Sequence, residues 1–211
     1  MNTLERILDH KIVAIIRGAN PRHVINIAKA LYNGGIRVLE ITMNSADPLK
    51  VIEQAVVEFG DRMVIGAGTV LDPETARSAI LSGAKFILSP IVNSKIIEMT
   101  KSYGAIAVPG AYTPTEIVHA YLSGGDIIKV FPARSGPAYI KDILGPLPHI
   151  PLLPTGGINL ENIKEFQKAG AVGFGIGSSL VDTNCEITDE YLQRLTEKAQ
   201  KFVQAVAHPL H

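Results

Sequence analysis

A repeat of short apolar runs and amphipathic segments covers the chain and constrains its fold more than any other feature. Eight runs predict buried strands, at residues 12–16, 37–42, 63–68, 86–89, 106–109, 127–131, 152–155 and 172–175. Successive runs begin 20–26 residues apart, which is the length of a strand–helix unit. Because the runs are apolar on both faces, they indicate a parallel sheet that is covered by helices.

The segments between these runs carry their own helix signals. A capping side chain followed by proline marks several helix starts, as in Asp72-Pro73 and Thr113-Pro114, and glycines such as Gly83 and Gly170 mark ends. A short polar segment before the first strand completes the pattern as an N-terminal helix. The sequence predicts further helices at residues 21–32, 48–59, 73–81, 94–103, 114–122, 138–144, 159–168 and 189–206.

Eight strand–helix units favour an α/β fold of the (β/α)8 TIM-barrel type, formed by residues 1–211 as a single domain. A chain of 211 residues is short for this fold, so its loops must be tight. A doubly wound open sheet is the alternative. It is disfavoured because no glycine-rich dinucleotide fingerprint follows the first strand.

The charge balance excludes some classes of partner. Lys+Arg and Asp+Glu number 20 each, and without a basic stripe we expect no nucleic-acid partner. No apolar stretch reaches the roughly 18 residues of a membrane span, so no membrane association is expected. Cys185 is the only cysteine, which excludes an intramolecular disulfide and favours a reducing compartment such as the cytoplasm.

Lys129 interrupts an otherwise apolar strand and is the strongest chemical signal in the chain. An unpaired buried ammonium commonly costs several kcal/mol, and burial therefore lowers the pKa of a lysine. A neutral lysine in a cavity can attack a carbonyl group and form a Schiff base. The alternative is a lysine whose head reaches solvent at the strand end or pairs with a carboxylate.

Glu40 interrupts the second strand in the same way. Burial raises the pKa of a carboxyl group and a nearby cation lowers it, which together can suit the group to acid–base catalysis near neutral pH. The alternative is a structural partner for a neighbouring arginine or lysine. Since barrel active sites lie at the carboxyl ends of the strands, we interpret Lys129 and Glu40 as a nucleophile and its proton shuttle.

Two glycine-rich turns follow the seventh and eighth strands, where many barrels hold a phosphate group. The first contains Gly156 and Gly157, and the second contains Gly177 and Ser178. Glycine lets the backbone approach an anion, and free N–H groups donate to it. The turns therefore predict a phosphate site, although a pair of tight turns without a ligand is the alternative.

Arg17 and Thr69 follow the first and third strands. An arginine there is suited to bind a carboxylate or phosphate, and its alternative is a surface ion pair. The Thr69 amide and hydroxyl are both available to a ligand. No histidines cluster at strand ends or with metal-ligand spacing, so we expect no metal site.

Five motifs together resemble the class I 2-keto-3-deoxy-6-phosphogluconate (KDPG) aldolases. That family also includes the 4-hydroxy-2-oxoglutarate and phosphogalactonate aldolases. The resemblance covers nearly the whole chain, in order and at matching spacing. It rests on Glu40-Ile41-Thr42, Gly66-Ala67-Gly68-Thr69-Val70, Ser89-Pro90, Ile128-Lys129-Val130-Phe131-Pro132 and Pro154-Thr155-Gly156-Gly157-Ile158.

The resemblance implies a homotrimeric barrel enzyme that splits a phosphorylated 2-keto-3-deoxy sugar acid into pyruvate and glyceraldehyde 3-phosphate. It implies a Schiff base on Lys129, proton transfer by Glu40 and no cofactor. Thr69 and Pro90 would line the pyruvate end and Phe131 would pack beside the lysine. The remaining implied contacts are to the sugar hydroxyls and the phosphate, from Thr155, Gly156, Gly157, Gly177 and Ser178.

One position departs from the gluconate-type members. Many of them have a carboxylate-binding arginine shortly after the glutamate, where this chain has Asn44. Asn44-Ser45 and Arg17-Gly18 are similar to galactonate-type members, in which the strand-one arginine binds the carboxylate, whereas Pro154-Thr155 resembles the gluconate type. The substrate therefore stays open between KDPG, its galactonate epimer and 4-hydroxy-2-oxoglutarate.

Three more distant functions remain alternatives. A phosphosugar isomerase or epimerase would use Glu40 as a base and Lys129 as an electrostatic stabiliser. A phosphate-ligand sensor on a decayed barrel would bind without turnover. A metal-dependent aldolase would be inhibited by a chelator, which we do not expect here.

Overall fold

The structure is a computed structural model and describes residues 1–207. Every strand pairing in this part of the chain is parallel. The strands are β1 (Ile12–Ile16), β2 (Val38–Thr42), β3 (Val64–Gly68), β4 (Phe86–Leu88), β5 (Ile106–Val108), β6 (Gly110–Ala111), β7 (Ile128–Val130), β8 (Leu152–Pro154) and β9 (Phe174–Ile176).

The strands form a curled sheet of the TIM-barrel-like type. Six of them pair in the order β5-β4-β3-β2-β1-β9, and three pair in the order β6-β7-β8. A single bridge between Thr155 and Gly175 connects the end of β8 to β9. The Val172 amide also donates to the Leu152 carbonyl at 3.0 Å, which holds these two chain segments side by side.

A short strand that was not predicted follows the fifth predicted run, residues 106–109. That run corresponds to β5, which ends at Val108, and β6 begins two residues later, after Pro109. Proline has no N–H group, so it cannot continue the donor pattern of the ladder. Its carbonyl still accepts a hydrogen bond from the Lys129 amide at 2.9 Å, which ties this junction to β7.

Nine α-helices lie within residues 1–207, and four of them, α3, α4, α6 and α9, have the predicted bounds. The predicted helix at 159–168 begins late, because the Asn159 side chain accepts from the Glu161 and Asn162 amides and holds that turn in another conformation. The helices are α1 (Thr3–His10), α2 (Pro21–Asn33), α3 (Pro48–Phe59), α4 (Pro73–Leu81), α5 (Ser94–Ser102), α6 (Pro114–Leu122), α7 (Pro137–Leu144), α8 (Ile163–Lys168) and α9 (Asp189–Val206).

The apolar core has two parts. The larger part fills the space between the sheet and the surrounding helices. The smaller part lies inside the curl of the sheet, and Ile7 of α1 packs against it, with Leu4 and Leu8 beside it. Its other residues are Val13, Val38, Val64, Phe86, Leu88, Val108, Leu153 and Ile127, which directly precedes β7. On β1, β2 and β3 the cluster residue lies at or next to the amino-terminal end of the strand.

No helix between residues 1 and 207 combines the length and the apolar character that crossing a membrane requires.

Candidate active site

Lys129 and Glu40 are both buried inside the curl of the sheet. Lys129 lies on β7, between Gly110 of β6 and Leu153 of β8, and is 3% exposed. Glu40 lies on β2 and is fully buried. Within residues 1–207, neither carboxylate oxygen of Glu40 has a hydrogen-bond partner. A buried carboxyl group with two free oxygens is costly in a folded protein and is therefore a sign of function.

The environment shifts the two pKa values toward the neutral forms. Burial raises the pKa of Glu40, while the nearby charges of Lys129 and Arg17 act in the opposite direction. Burial lowers the pKa of Lys129, against the raising effect of Glu40, and Arg17 lowers it further. Removal from water is the first cause in both cases, because it penalises each charged form. The site therefore favours an amine that can act as a nucleophile.

Glycine in β3 makes the space that Glu40 occupies. Gly66 and Gly68 lie on the face of β3 that points into the curl, and Glu40 pairs with Gly66 in register. A Cβ atom on Gly68 would overlap the carboxyl group of Glu40. A Cβ atom on Gly66 would instead overlap the ring of Phe86, deeper in the interior. The two glycines thus accommodate a catalytic candidate and a core residue, respectively.

Phe131 lies beside the lysine. Its ring centroid is 4.7 Å from the Lys129 Nζ, and the side chain is 40% exposed. Pro90 and Phe131 line a neighbouring cavity of about 370 Å³, together with Gly110 and Tyr112. Pro90 and Phe131 therefore lie at the same mouth, next to the lysine strand.

Arg17 lies at the rim of the site and is joined to the loop that follows β2. Its Nη1 donates to Asn44 Oδ1 at 3.3 Å, and the Gly18 amide donates to Ser45 Oγ at 2.9 Å. The Arg17 carbonyl accepts a hydrogen bond of 2.7 Å from Thr183 Oγ1. Asn44 thus contacts the arginine that we predicted to bind a carboxylate.

Thr69 and Thr155 each come directly after a strand, β3 and β8 respectively. Thr69 has a φ of 57°, a left-handed conformation that is uncommon for a threonine and points to a local constraint. Thr155 is 4% exposed and its side chain lies against Gly175, where any Cβ atom would overlap it.

The two glycine turns meet around one small cavity of about 170 Å³. Gly156 and Gly157 have φ values of 85° and 88°, which only glycine adopts easily. All four predicted phosphate residues line the cavity. Its lining residues are Arg134, Gly156, Gly157, Ile158, Asn159, Gly175, Gly177, Ser178 and Ser179.

Sequence reasoning missed Arg134, which lines this cavity. The available signal was its place in the loop that follows the lysine strand, since such loops carry the site residues of barrels. The structure thus places most of the predicted residues in four groups: the buried Lys129–Glu40 pair, the rim arginine, the mouth lined by Pro90 and Phe131, and the glycine cavity. Within residues 1–207, no cluster of three or more histidine, cysteine, aspartate or glutamate residues is arranged to hold a metal ion.

Comparison with known proteins gives a consistent result. Residues 4–197 match a family described as "Aldolase: KDPG and KHG aldolase". The 2-dehydro-3-deoxy-6-phosphogalactonate aldolase of Escherichia coli (strain K12) is 33% identical over 92% of this chain and 93% of its own length. The 2-dehydro-3-deoxy-phosphogluconate aldolase of Pseudoalteromonas atlantica (strain T6c) is 33% identical over 93% of this chain and 91% of its own length.

A solved structure gives the same picture of the fold. KDPG aldolase from Legionella pneumophila, with pyruvate captured at low pH as a covalent carbinolamine intermediate, superimposes with a TM-score of 0.86. It is 27% identical in sequence, and the match covers 94% of this chain and 97% of that one.

Proposed function

The chain belongs to the KDPG and KHG aldolase family, and from this membership we propose that it cleaves KDPG to pyruvate and D-glyceraldehyde 3-phosphate. Enzymes of this family are lyases that form a covalent Schiff base with a lysine and use no cofactor. The observation that carries the proposal is the buried Lys129, which faces the same interior as a glutamate without hydrogen-bond partners.

Lys129 is the Schiff-base residue in this proposal. Its neutral amine attacks the C2 carbonyl of the keto acid, and Glu40 shuttles protons while the carbinolamine loses water to give an iminium ion. The iminium accepts the electron pair of the C3–C4 bond as that bond breaks and the C4 hydroxyl gives up its proton. Glu40, directly or through a water, is the base. Protonation of the enamine and hydrolysis then release pyruvate and free the amine.

Residues around the lysine hold the substrate. Arg17 and Thr69 bind the keto-acid carboxylate so that C2 faces Lys129. Pro90 and Phe131 pack beside the pyruvate portion. Gly156, Gly157, Gly177 and Ser178 bind the phosphate through backbone amides and a hydroxyl, which is supported by their common cavity.

The galactonate epimer is the second candidate substrate. The similarity of Asn44-Ser45 and Arg17-Gly18 to galactonate-type members favours it, and the hydrogen bond from Arg17 to Asn44 supports it by joining these two segments. Thr155 favours KDPG, since Pro154-Thr155 resembles the gluconate-type members. Cleavage rates on the two epimers and on 4-hydroxy-2-oxoglutarate would decide between the candidates.

Borohydride trapping tests the proposal directly. With pyruvate, borohydride should add one reduced pyruvyl group to the protein, and peptide mapping should place it on Lys129. Lys129→Ala should abolish the adduct and lower kcat by on the order of 10⁴-fold or more, while keeping the fold. Lys141→Ala, which replaces a lysine of α7, is the control and should behave as the wild type. An unchanged wild-type mass would reject the Schiff base and favour an isomerase that uses Glu40 as its base.

The proposal also covers barrel closure, the number of subunits and the cellular compartment. We expect a closed eight-stranded barrel in which β5 and β6 act as one strand, and the bridge from Thr155 to Gly175 supports this. We expect a homotrimer in the cytoplasm, and exposed apolar side chains such as Val57 (86%) and Leu122 (78%) support association. Light scattering on the purified protein would measure the number of subunits.

A further inference from the structure

Arg134 lies in the loop between β7 and α7 and lines the glycine cavity. Gly157 is close enough that any side chain there would contact the stem of Arg134. The cavity is therefore bordered by glycine backbone and by a residue with a permanent positive charge.

The guanidinium of Arg134 is free to meet a ligand. Within residues 1–207, it has no carboxylate at salt-bridge distance and makes no hydrogen bond, and the Ser178 hydroxyl makes none either. The other side chains of the cavity are uncharged. An anion in this cavity would therefore find an unpaired arginine that competes with no acidic group lining it.

The loop that carries Arg134 is held in place on both sides of the residue. The Ala133 amide donates to the Thr155 carbonyl at 2.8 Å, which ties the loop to the start of the first glycine turn. Ser135 Oγ lies 2.5 Å from Tyr112 Oη, and the Tyr112 ring stacks on Tyr139 with centroids 5.1 Å apart. The backbone of Arg134 is thus fixed relative to Gly156 and Gly157.

We propose that Arg134 is a specificity-determining residue that binds the phosphate group of the substrate and selects phosphorylated over unphosphorylated aldehydes. The proposal rests on the proposed aldolase function. Arginine suits this role because its planar guanidinium can donate two parallel hydrogen bonds to phosphate oxygens. Glycine amides alone supply donors without a full charge, so the arginine adds the preference for a dianion.

The test uses the reverse reaction, in which the enzyme condenses pyruvate with an aldehyde. This reaction separates the lysine part of the site from the phosphate cavity, because each of the two substrates binds at one of them. Pyruvate reports on Lys129, whereas glyceraldehyde 3-phosphate and unphosphorylated glyceraldehyde differ only at the phosphate. Arg134→Gln should raise KM for glyceraldehyde 3-phosphate roughly tenfold, as expected for losing a charged hydrogen bond. KM for pyruvate, borohydride trapping and the rate with glyceraldehyde should stay unchanged.

Two further variants sharpen the result. Arg134→Lys keeps the charge without the paired donors and should give an intermediate KM. Arg194→Gln removes an exposed arginine from α9 and should match the wild type. Equal losses with both aldehydes, or no change with either, would overturn the role of Arg134. Failure of the proposed function would differ from both, because the wild-type protein itself would then not be trapped with pyruvate.

Discussion

The two ends of the interior of the curled sheet are built from different residues. The amino-terminal end is packed with side chains such as Val38, Val64 and Phe86, and α1 packs against it. The carboxyl end holds Glu40 and Lys129 instead, and Glu40 lies where only a glycine of β3 leaves room for it. On β2 both ends belong to one strand, since Val38 and Glu40 lie two residues apart on the same face.

The residues at the amino-terminal end contribute mainly to stability, whereas those at the carboxyl end contribute mainly to activity. Burial of apolar side chains stabilises the amino-terminal end, by about 1.5–3 kcal/mol for each large residue. Burial of ionisable groups without full hydrogen bonding destabilises the carboxyl end. We therefore expect substitutions at the amino-terminal end to lower stability, and those at the carboxyl end to lower activity.

Glu40→Gln tests the carboxyl end most severely. The amide keeps the size of the side chain but cannot act as a base, so kcat should fall by about 10²–10⁴-fold. Steady-state cleavage rates, measured through pyruvate release, check this, and thermal unfolding serves as the control. A variant with normal kcat would show that Glu40 is only a structural partner of Lys129.

Gly68→Ala and Gly66→Ala make the same change two residues apart. At Gly68 the new methyl group displaces the buried carboxyl group of Glu40, so kcat should fall about 10²-fold. At Gly66 the methyl group meets the buried Phe86 ring, so the free energy of unfolding should fall by about 1–3 kcal/mol. Urea denaturation and kinetics on both variants separate the effects. Similar behaviour of the two variants would remove the distinction between the ends.

The smallest expected effect concerns the two buried ionisable groups, Glu40 and Lys129, taken together. Replacing both charges, in Glu40→Gln combined with Lys129→Met, should raise the free energy of unfolding by about 1 kcal/mol at neutral pH. The inactive double variant would then be more stable than the wild type, as measured by urea denaturation. A loss of stability would mean that the pair stabilises the fold.

The pKa shifts of Glu40 and Lys129 make the stability difference between the double variant and the wild type depend on pH. The pKa of Lys129 is lowered by burial, so its destabilising effect is present below the folded pKa and disappears as the pH rises toward 10.5. The pKa of Glu40 is raised by burial, so its effect is present above the folded pKa and disappears as the pH falls toward 4.5. The difference in free energy of unfolding between the double variant and the wild type should therefore be largest between these two pH limits. It should become smaller as the pH approaches either limit.

Most of the fold could be predicted because its signals are local. The eight predicted runs match eight of the nine strands to within two residues, and proline after a candidate capping residue predicted the starts of α2, α3, α4 and α6. The short strand β6 was not predicted, because the predicted fifth run ended at Pro109. The late start of α8 depends on side-chain hydrogen bonds of Asn159 that compete with the helix.

The site was predictable where a residue was anomalous in its own strand. Lys129 and Glu40 stood out because charged groups rarely lie in apolar runs. Arg134 did not stand out, because an arginine in a polar loop is ordinary. The contact between Arg17 and Asn44 was also hidden, because it joins residues 27 positions apart.

The sequence by itself determined the strand–helix repeat, the family and the two buried ionisable residues, because each depends on local pattern. Only the tertiary structure decided which groups share a space. It placed Glu40 over Gly68, Asn44 against Arg17, and Arg134 at the glycine cavity. The physical reason is that the curl of the sheet brings the loops after β1, β2, β7, β8 and β9 to one end, and no local pattern encodes those distances.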